Sequence, residues 1–359
     1  MGNIECVVVG AGPAGLGAAI AAARAGVRVL VLDENHLPGG QLFKQIHKFF
    51  GSKEHFAGTR GFIIGRRLLA EAESLGVEVW LNTRVWGLFN GNELAIIREG
   101  KTQTLRARKI ILATGATENA LAFPGCTLPG VMTAGAAQTM VNLHRVLPGK
   151  RVLMIGSGNV GLIVSYQLLQ AGAEVVGIIE VASGIGGYAV HAAKLHRAGV
   201  PFYLGHTIVA ARGKEGVIEA LISPAGAGRE DIQTLKVDTI CLAVGLAPRL
   251  ELVRLAGGRV VYLPDLGGHV PVHNSKMAIT RDIYVAGDVA GVEEASTALE
   301  EGRLAGVAVA ADLGYLRPGE AEAQLMEIKS GLAKLRSGPF GIKRQQAKEM
   351  LLKSGNCQW

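Results

Sequence analysis

A repeat constrains this chain more than any other feature. Residues 6–33, CVVVGAGPAGLGAAIAAARAGVRVLVLD, read as an apolar strand, a glycine turn, a helix and a second strand ending on Asp33. Residues 151–180, RVLMIGSGNVGLIVSYQLLQAGAEVVGIIE, repeat that order and end on Glu180. The first glycine of each turn, Gly10 or Gly156, allows the tight bend. The second, Gly12 or Gly158, lets backbone approach a pyrophosphate, and the third, Gly15 or Gly161, lets helix pack on strand. Phosphates would then rest on a helix N-terminus, at Pro13 and Ala14 in the first copy and at Asn159 and Val160 in the second, where free N–H groups and the helix dipole favour anions. Asp33 follows Gly10 by 23 residues and Glu180 follows Gly156 by 24, the distance at which an acid accepts from ribose hydroxyls. A carboxylate at Glu180 would repel a 2′-phosphate, and the VASGIGG that follows supplies no arginine to hold one, so the second site is expected to prefer NAD to NADP.

The copies lie about 146 positions apart, too far for a solenoid repeat and right for two nucleotide-binding units in one chain. A length of 359 residues accommodates two domains. Between the units, GVEVWLNTRV reads as a strand, LAIIREGKTQTLRARKIILATGA as a hairpin running into a buried strand at Lys109–Thr114, and Ala134–Arg145 as a helix. VDTICLAVGLAP is a further buried strand closing on glycine. ITRDIYVAGDVAGVEEASTALEEGRLAGVAVAADLG, a strand ending at Gly287–Asp288 and then an amphipathic helix, reads as the missing half of the first unit. The expected fold class is therefore α/β: two Rossmann-like domains, the second inserted in the first, with a C-terminal helical tail. Boundaries are expected at 1–115 with 248–314 for the first domain, 116–247 for the inserted one and 315–359 for the tail.

Most of the net charge of +7 sits at the C-terminus, where Lys329, Lys334, Arg336, Lys343, Arg344, Lys348 and Lys353 face Glu349. With no basic face interleaved with aromatics, nucleic-acid binding is not expected. The tail reads either as a solvated basic helix or as a dock for an acidic partner subunit. No stretch of about 20 uninterrupted apolar residues predicts a membrane span, the first strand starts too near Met1 to read as an export signal, and a cytoplasmic setting is expected. Four cysteines, Cys6, Cys126, Cys241 and Cys357, lack CxxC or metal spacing, so no disulfide framework or metal site is expected. Cys6 and Cys241 fall in buried strands, and Cys126 on a loop. His47, beside the PGGQ stretch, reads as a solvated loop histidine or else as one turned toward the cofactor or substrate, and His269 and His273 as alternate residues on one strand face. No residue stands out as a proton-transfer catalyst.

GAGPAG and GSGNVG, together with ILATGA (Ile110–Ala116), CLAVG (Cys241–Gly245) and YVAGD (Tyr284–Asp288), resemble the two-dinucleotide-binding-domain flavoproteins of the pyridine nucleotide–disulfide oxidoreductase family over residues 4–314. That resemblance implies FAD in the first domain and NAD(P)H in the inserted one. It implies pyrophosphate contacts from Gly12, Pro13, Ala14 and Gly15, a ribose contact from Asp33 and an adenine contact near Val85. Gly40 and Gln41 would lie near the flavin, Thr114 and Gly115 near the cofactor, Gly287–Asp288 at the ribityl–phosphate region, and Gly245 at the matching turn of the second site. The helix starting at Glu294, Ala295 and Ser296 would aim N–H groups at the flavin N1/O2 edge. The dithiols of thioredoxin-reductase-like and glutathione-reductase-like members are missing: TAGAAQTMVNL stands where the former carry CxxC, and dithiol chemistry is excluded.

FPGCTLPGVMTAGAAQTM, GGHVPVHNSKMAIT and GDVAGVEEASTALEEGRLAG more narrowly resemble the FAD/NAD-binding subunits of opine oxidase, hydrogen cyanide synthase, sarcosine oxidase and dye-linked proline dehydrogenase. This implies an FAD-dependent oxidoreductase exchanging hydride between NAD(H) and flavin, as one member of an amino-acid or amine dehydrogenase complex. The implied partners are a second flavoprotein subunit together with a small iron–sulfur subunit. The residues leave two other readings open: a non-catalytic or electron-relay subunit with a static nucleotide, and a stand-alone NADH:acceptor reductase.

Overall fold

A computed structural model describes residues 4–49, 52–226, 231–338 and 341–354; Cys357 and the end of the expected tail lie outside them. The chain divides into two compact units, Met1–Thr117 with Ala247–Trp359, and Glu118–Leu246.

The larger unit opens with β1 (Ile4–Val9), α1 (Pro13–Arg24), β2 (Val29–Leu32), α2 (Gly61–Ser74) and β3 (Glu78–Trp80). A meander follows, formed by β4 (Thr83–Phe89), β5 (Glu93–Arg98) and the long β6 (Lys101–Leu112). The smaller unit contains β7 (Val131–Thr133), α3 (Ala134–Thr139), β8 (Arg151–Ile155), α4 (Asn159–Gln170), β9 (Glu174–Glu180), α5 (Ala189–Arg197) and β10 (Phe202–Leu204). A second meander, β11 (His206–Arg212), β12 (Glu219–Pro224) and β13 (Gln233–Lys236), leads to β14 (Thr239–Leu242). On its return the chain adds the hairpin β15 (Val260–Leu263) and β16 (Gly268–Pro271), then β17 (Ile283–Val285), α6 (Ala295–Asp312), α7 (Pro318–Leu335) and α8 (Ile342–Ser354) to the larger unit.

Each unit is a five-stranded parallel sheet joined to an antiparallel meander. In the larger, the parallel order is β3-β2-β1-β6-β17. β6 bridges the two parts: Lys101–Arg106 pairs antiparallel with β5, and Ala107–Leu112 pairs parallel with β1. In the smaller, the order is β10-β9-β8-β14-β7, all parallel. The continuous apolar runs VVV of β1 and IIL of β6 follow from burial on both faces. In both sheets the strand that precedes the glycine turn lies between neighbours reached in opposite directions. A crevice opens at such a switch point, beyond the strands' carboxyl ends, and both glycine turns sit there.

Four sequence expectations change. GVEVWLNTRV is two strands, because β3 pairs parallel with β2 while β4 pairs antiparallel with β5; Asn82, at φ 49°, makes the turn between them. The Ala134–Arg145 helix is α-helical only to Thr139 and widens to a π-turn over Met140–His144. The helix after YVAGD is not amphipathic: 13 of the 18 residues of α6 are buried, Glu300 and Glu301 among them, between α1 and α7. A Cβ on Gly302 would fall 2.0 Å from Ala14 O and one on Gly306 2.3 Å from Ala18 O, so only glycines allow α1 and α6 to cross this closely. The tail, finally, is helical but is not a solvated basic face throughout, since Arg336 and Lys348 are buried and ion-paired. Among the described residues no helix is long and apolar enough to cross a membrane.

Candidate functional site

In the larger unit, the turn after β1 is shaped by contacts that exclude side chains. Gly10 has φ 109°, and a Cβ there would lie 2.3 Å from Ala113 O; a Cβ on Gly15 would lie 1.7 Å from Gly10 O. Gly12 differs: the nearest atom to a Cβ position there is Gly40 Cα at 3.9 Å, so a side-chain carbon would meet no clash. No side chain caps α1, whose first residue is Pro13. Uncapped N–H groups at the start of this helix form a donor set suited to a phosphate.

The acid closes this turn from within. Asp33 Oδ2 accepts from Ala11 N at 2.5 Å, and Oδ1 accepts from the backbone and side-chain nitrogens of Asn35, each at 2.8 Å. Beyond it the chain folds back, with Gly39 N donating to Ala11 O at 2.7 Å and Gly40 packed on Gly12. Gln41 is exposed, and Val85 lies half-buried on β4, whose Thr83 N donates to Asp33 O at 2.8 Å. Thr114 Oγ1 donates to Arg249 O at 3.2 Å, and Gly115 O accepts from Arg249 N at 3.0 Å. Gly287 joins the turn from the other side: a Cβ on it would lie 2.6 Å from that of Ala14. Asp288 follows, half-buried, accepting weakly from Glu293 N at 3.4 Å, and Glu294 is the N-cap residue of α6, which starts at Ala295. Burial pushes the Asp288 carboxyl up to about 7, with Glu301, Glu294 and Glu293 adding to the rise.

The smaller unit repeats this construction. A Cβ on Gly156 would lie 2.3 Å from Ala243 O, and one on Gly161 would lie 2.1 Å from Gly156 O, while one on Gly158 would have nothing within 4 Å. α4 begins at Asn159 and Val160 with no side-chain cap. Glu180 Oε2 accepts from Ser157 N at 2.9 Å and Ser157 Oγ at 2.7 Å, and Oε1 from Ala182 N at 3.0 Å. Burial works to raise the Glu180 carboxyl, but these donors outweigh it and hold the group below its ordinary range. Gly245, at φ 97°, sits two residues beyond Ala243, its carbonyl accepting from Asn119 N at 3.0 Å.

Sequence reasoning missed residues in both units. Gly186 N donates to Ser157 Oγ at 2.9 Å, Tyr188 N donates to Asn159 Oδ1 at 2.8 Å, and Gly187 packs on the start of α4. The signal was available: each acid is followed at the sixth and seventh positions by two glycines, Gly39–Gly40 after Asp33 and Gly186–Gly187 after Glu180. In the larger unit Glu34 also accepts from Arg249 at 2.8 Å and Arg84 at 3.2 Å, an ion triad beside Asp33. Arg249 is distant in sequence and carried no signal.

His269 is exposed and His273 buried beyond the end of β16, so they do not share a face as expected. His47 is half-buried and stacks on Phe49, in place of the expected solvated loop position. Burial pushes the Cys6 and Cys241 thiols up to about 12, and Cys126 is partly exposed. Among the described residues no group of three or more ligating side chains is placed to hold a metal.

The fold and the two uncapped helix starts at switch points define a two-unit nucleotide-binding α/β protein. The chain belongs to the pyridine nucleotide-disulphide oxidoreductase family, whose profile matches residues 4–302, and is an FAD-dependent oxidoreductase. It is 31% identical over 332 residues to an opine oxidase subunit of Agrobacterium tumefaciens, covering 86% of this chain and 66% of that one. It is 28% identical over 369 residues to hydrogen cyanide synthase subunit HcnB of Pseudomonas aeruginosa, covering 96% and 77%. The crystal structure of L-proline dehydrogenase from P. horikoshii shares the fold, with a TM-score of 0.70 at 22% identity over 91% of this chain and 59% of that one. The chain thus spans about two thirds of its opine oxidase relative and less of the proline dehydrogenase chain.

Proposed function

We propose that the larger unit holds FAD, that the smaller unit admits NAD(H), and that the chain passes hydride between them as one member of an amino-acid- or amine-oxidising complex. When bound, the flavin supplies the redox chemistry. The observation that carries the reading is the matched pair of turns, with room for a Cβ without clash at Gly12 and open space at Gly158, while the other two glycines of each turn are packed tight. Pyrophosphate contacts would come from the N–H groups of Ala14 and Gly15 in one unit and of Asn159, Val160 and Gly161 in the other. Asp33 and Glu180 orient the two turns, and their remaining lone pairs are available to ribose hydroxyls. Asp288 and the start of α6 would face the ribityl chain and the flavin, the uncapped N–H groups of α6 favouring negative charge on the reduced ring. A carboxylate held ionised at Glu180, with no arginine in the segment after it, favours NAD over NADP.

The place in a complex rests on relatives that are themselves named as subunits, those of opine oxidase and hydrogen cyanide synthase. With no dithiol in the chain, electrons would leave by way of a partner, for which the candidates are a second flavoprotein subunit or a small iron–sulfur subunit. The test is an anaerobic titration of the FAD-loaded chain with NADH, followed at the oxidised flavin band. Stoichiometric bleaching is expected; a flavin that stays oxidised would overturn the NAD-linked reading in favour of a relay subunit with a static nucleotide.

A further inference from the structure

The basic tail meets the flavin-side turn through a buried ion network. On α6, Glu301 is 2% exposed. Its Oε2 accepts from Gly287 N at 3.1 Å, and its Oε1 accepts from Arg336 at 2.6 Å and Lys348 Nζ at 2.8 Å. Arg336, just past α7, also makes a two-pronged pair with Glu293, at 2.8 and 2.6 Å. Lys348, on α8, donates to Ala290 O at 3.0 Å as well. Ala347 and Leu351 of α8 bury themselves with Leu266, Val270 and Val272 of the β15–β16 hairpin, which seats the lysine. His273 lies buried beside these charges; its burial and the Lys348 cation push the ring down to about 4 and leave it neutral.

The charge arithmetic of the cluster decides what the tail is for. The segment from Gly287 to Glu301 contributes the carboxylates of Glu293 and Glu301, and both of their close cationic partners come from the C-terminal helices. Burial alone would raise the Glu301 carboxyl; Lys348 and Arg336 outweigh it and hold the group ionised. Deprived of a cation, a buried carboxylate of this kind protonates or leaves its place. Glu301 is also the acceptor that fixes Gly287 N–H, and Gly287, at φ 74°, abuts Ala14 in the first turn of α1.

We propose that Lys348 and Arg336 are positioning residues for the flavin: by holding Glu301 in place beneath Gly287, they fix the Gly287–Asp288 turn against the glycine turn of α1. The C-terminal helices are then part of the nucleotide-binding unit through these two residues. This rests on the reading of the larger unit as the FAD site.

The full-length chain tests it as Lys348→Met, Lys348→Arg, Glu301→Gln and the double variant Lys348→Met/Glu301→Gln. Two readouts are taken on folded protein: the FAD dissociation constant from flavin fluorescence, and hydrogen exchange of the peptide spanning 286–291 without FAD. Lys348→Met is expected to weaken FAD binding by about tenfold or more and to speed exchange in that peptide, while peptides of β1 and β6 keep wild-type protection. Lys348→Arg restores both. The double variant binds no more weakly than Lys348→Met alone, since the two residues act through one contact. Should Lys348→Met not fold, Glu301→Gln, which keeps a neutral acceptor in place, is read in the same two ways. Unchanged FAD affinity with unchanged local exchange overturns the proposal, as does a loss of protection spread evenly over the whole unit. Wild-type protein that binds no FAD overturns the flavin reading, and the exchange experiment then judges the brace by itself.

Discussion

Gly158→Ala separates nucleotide binding from folding at the second site. Gly158 is the N-cap of α4 with φ −65° and ψ 173°, a conformation open to alanine, and a methyl group there would meet nothing within 4 Å. Two small terms oppose each other: alanine is a poorer N-cap than glycine by about 0.5–1 kcal/mol, and it reduces the freedom of the unfolded chain by about 0.4–1 kcal/mol. Stability should therefore stay within about 1 kcal/mol of wild type. The same methyl occupies the space in which a pyrophosphate would approach the turn, so NADH reduction of the flavin should fall by at least about tenfold, equivalent to ~1.4 kcal/mol of lost binding. Gly161→Ala provides the contrast: its methyl would lie 2.1 Å from Gly156 O, and overpacking of this kind costs about 1–3 kcal/mol before any ligand is added. The assay combines thermal unfolding of nucleotide-free protein with stopped-flow anaerobic reduction. If Gly158→Ala reduces its flavin at the wild-type rate and affinity, no dinucleotide lies over that turn and the argument from open space is wrong.

Other consequences can be checked independently. Gly302→Ala places a methyl 2.0 Å from Ala14 O and should destabilise the chain by about 1–3 kcal/mol in urea unfolding. Asp288, raised to about 7 from an ordinary 3.8, contributes stability that is present below 3.8 and lost as pH rises through about 7. FAD-free wild type should therefore lose melting temperature between about pH 4 and about pH 7, and Asp288→Asn should flatten that decline. Glu301 is shifted the other way, below 4.5, so its contribution is present above 4.5 and lost as pH falls through its lower folded value; Glu301→Gln should have the shallower acid transition. Alkylation of native protein followed by peptide mapping should modify Cys126 well before Cys6 or Cys241, both buried and raised to about 12.

Much of the site was legible because its chemistry is local. A strand, three glycines, a helix and an acid 23 or 24 residues on lie within one supersecondary unit; Gly15 and Gly161 are set by the carbonyl of the first glycine of their own turn, whereas Gly10 and Gly156 meet Ala113 and Ala243 from strands distant in sequence. Gly40 was named from the sequence; its counterpart pair Gly186–Gly187 after Glu180 was equally local and could have been found by aligning the two copies. By contrast, the end of the GVEVWLNTRV strand could not be read, because β-pairing partners decide where a strand stops and those partners lie elsewhere in the chain.

By itself, then, the sequence determined that this protein carries two glycine turns of one construction, each followed by an acid at a matching distance, and no closely spaced cysteine pair. Only the tertiary structure decided the roles of the charges. The run of basic residues at the C-terminus has the composition of a solvated helix, and nothing in its spacing distinguishes Arg336 and Lys348 from their neighbours. They become counter-ions because the fold brings α8 against the β15–β16 hairpin and Arg336 against Glu293, where water is excluded and a carboxylate needs a cation. Arg249 likewise meets Glu34 across 215 residues of sequence because the fold brings them together, although that pair stays at the surface. Burial gives a charge its meaning, and burial is a property of the whole fold.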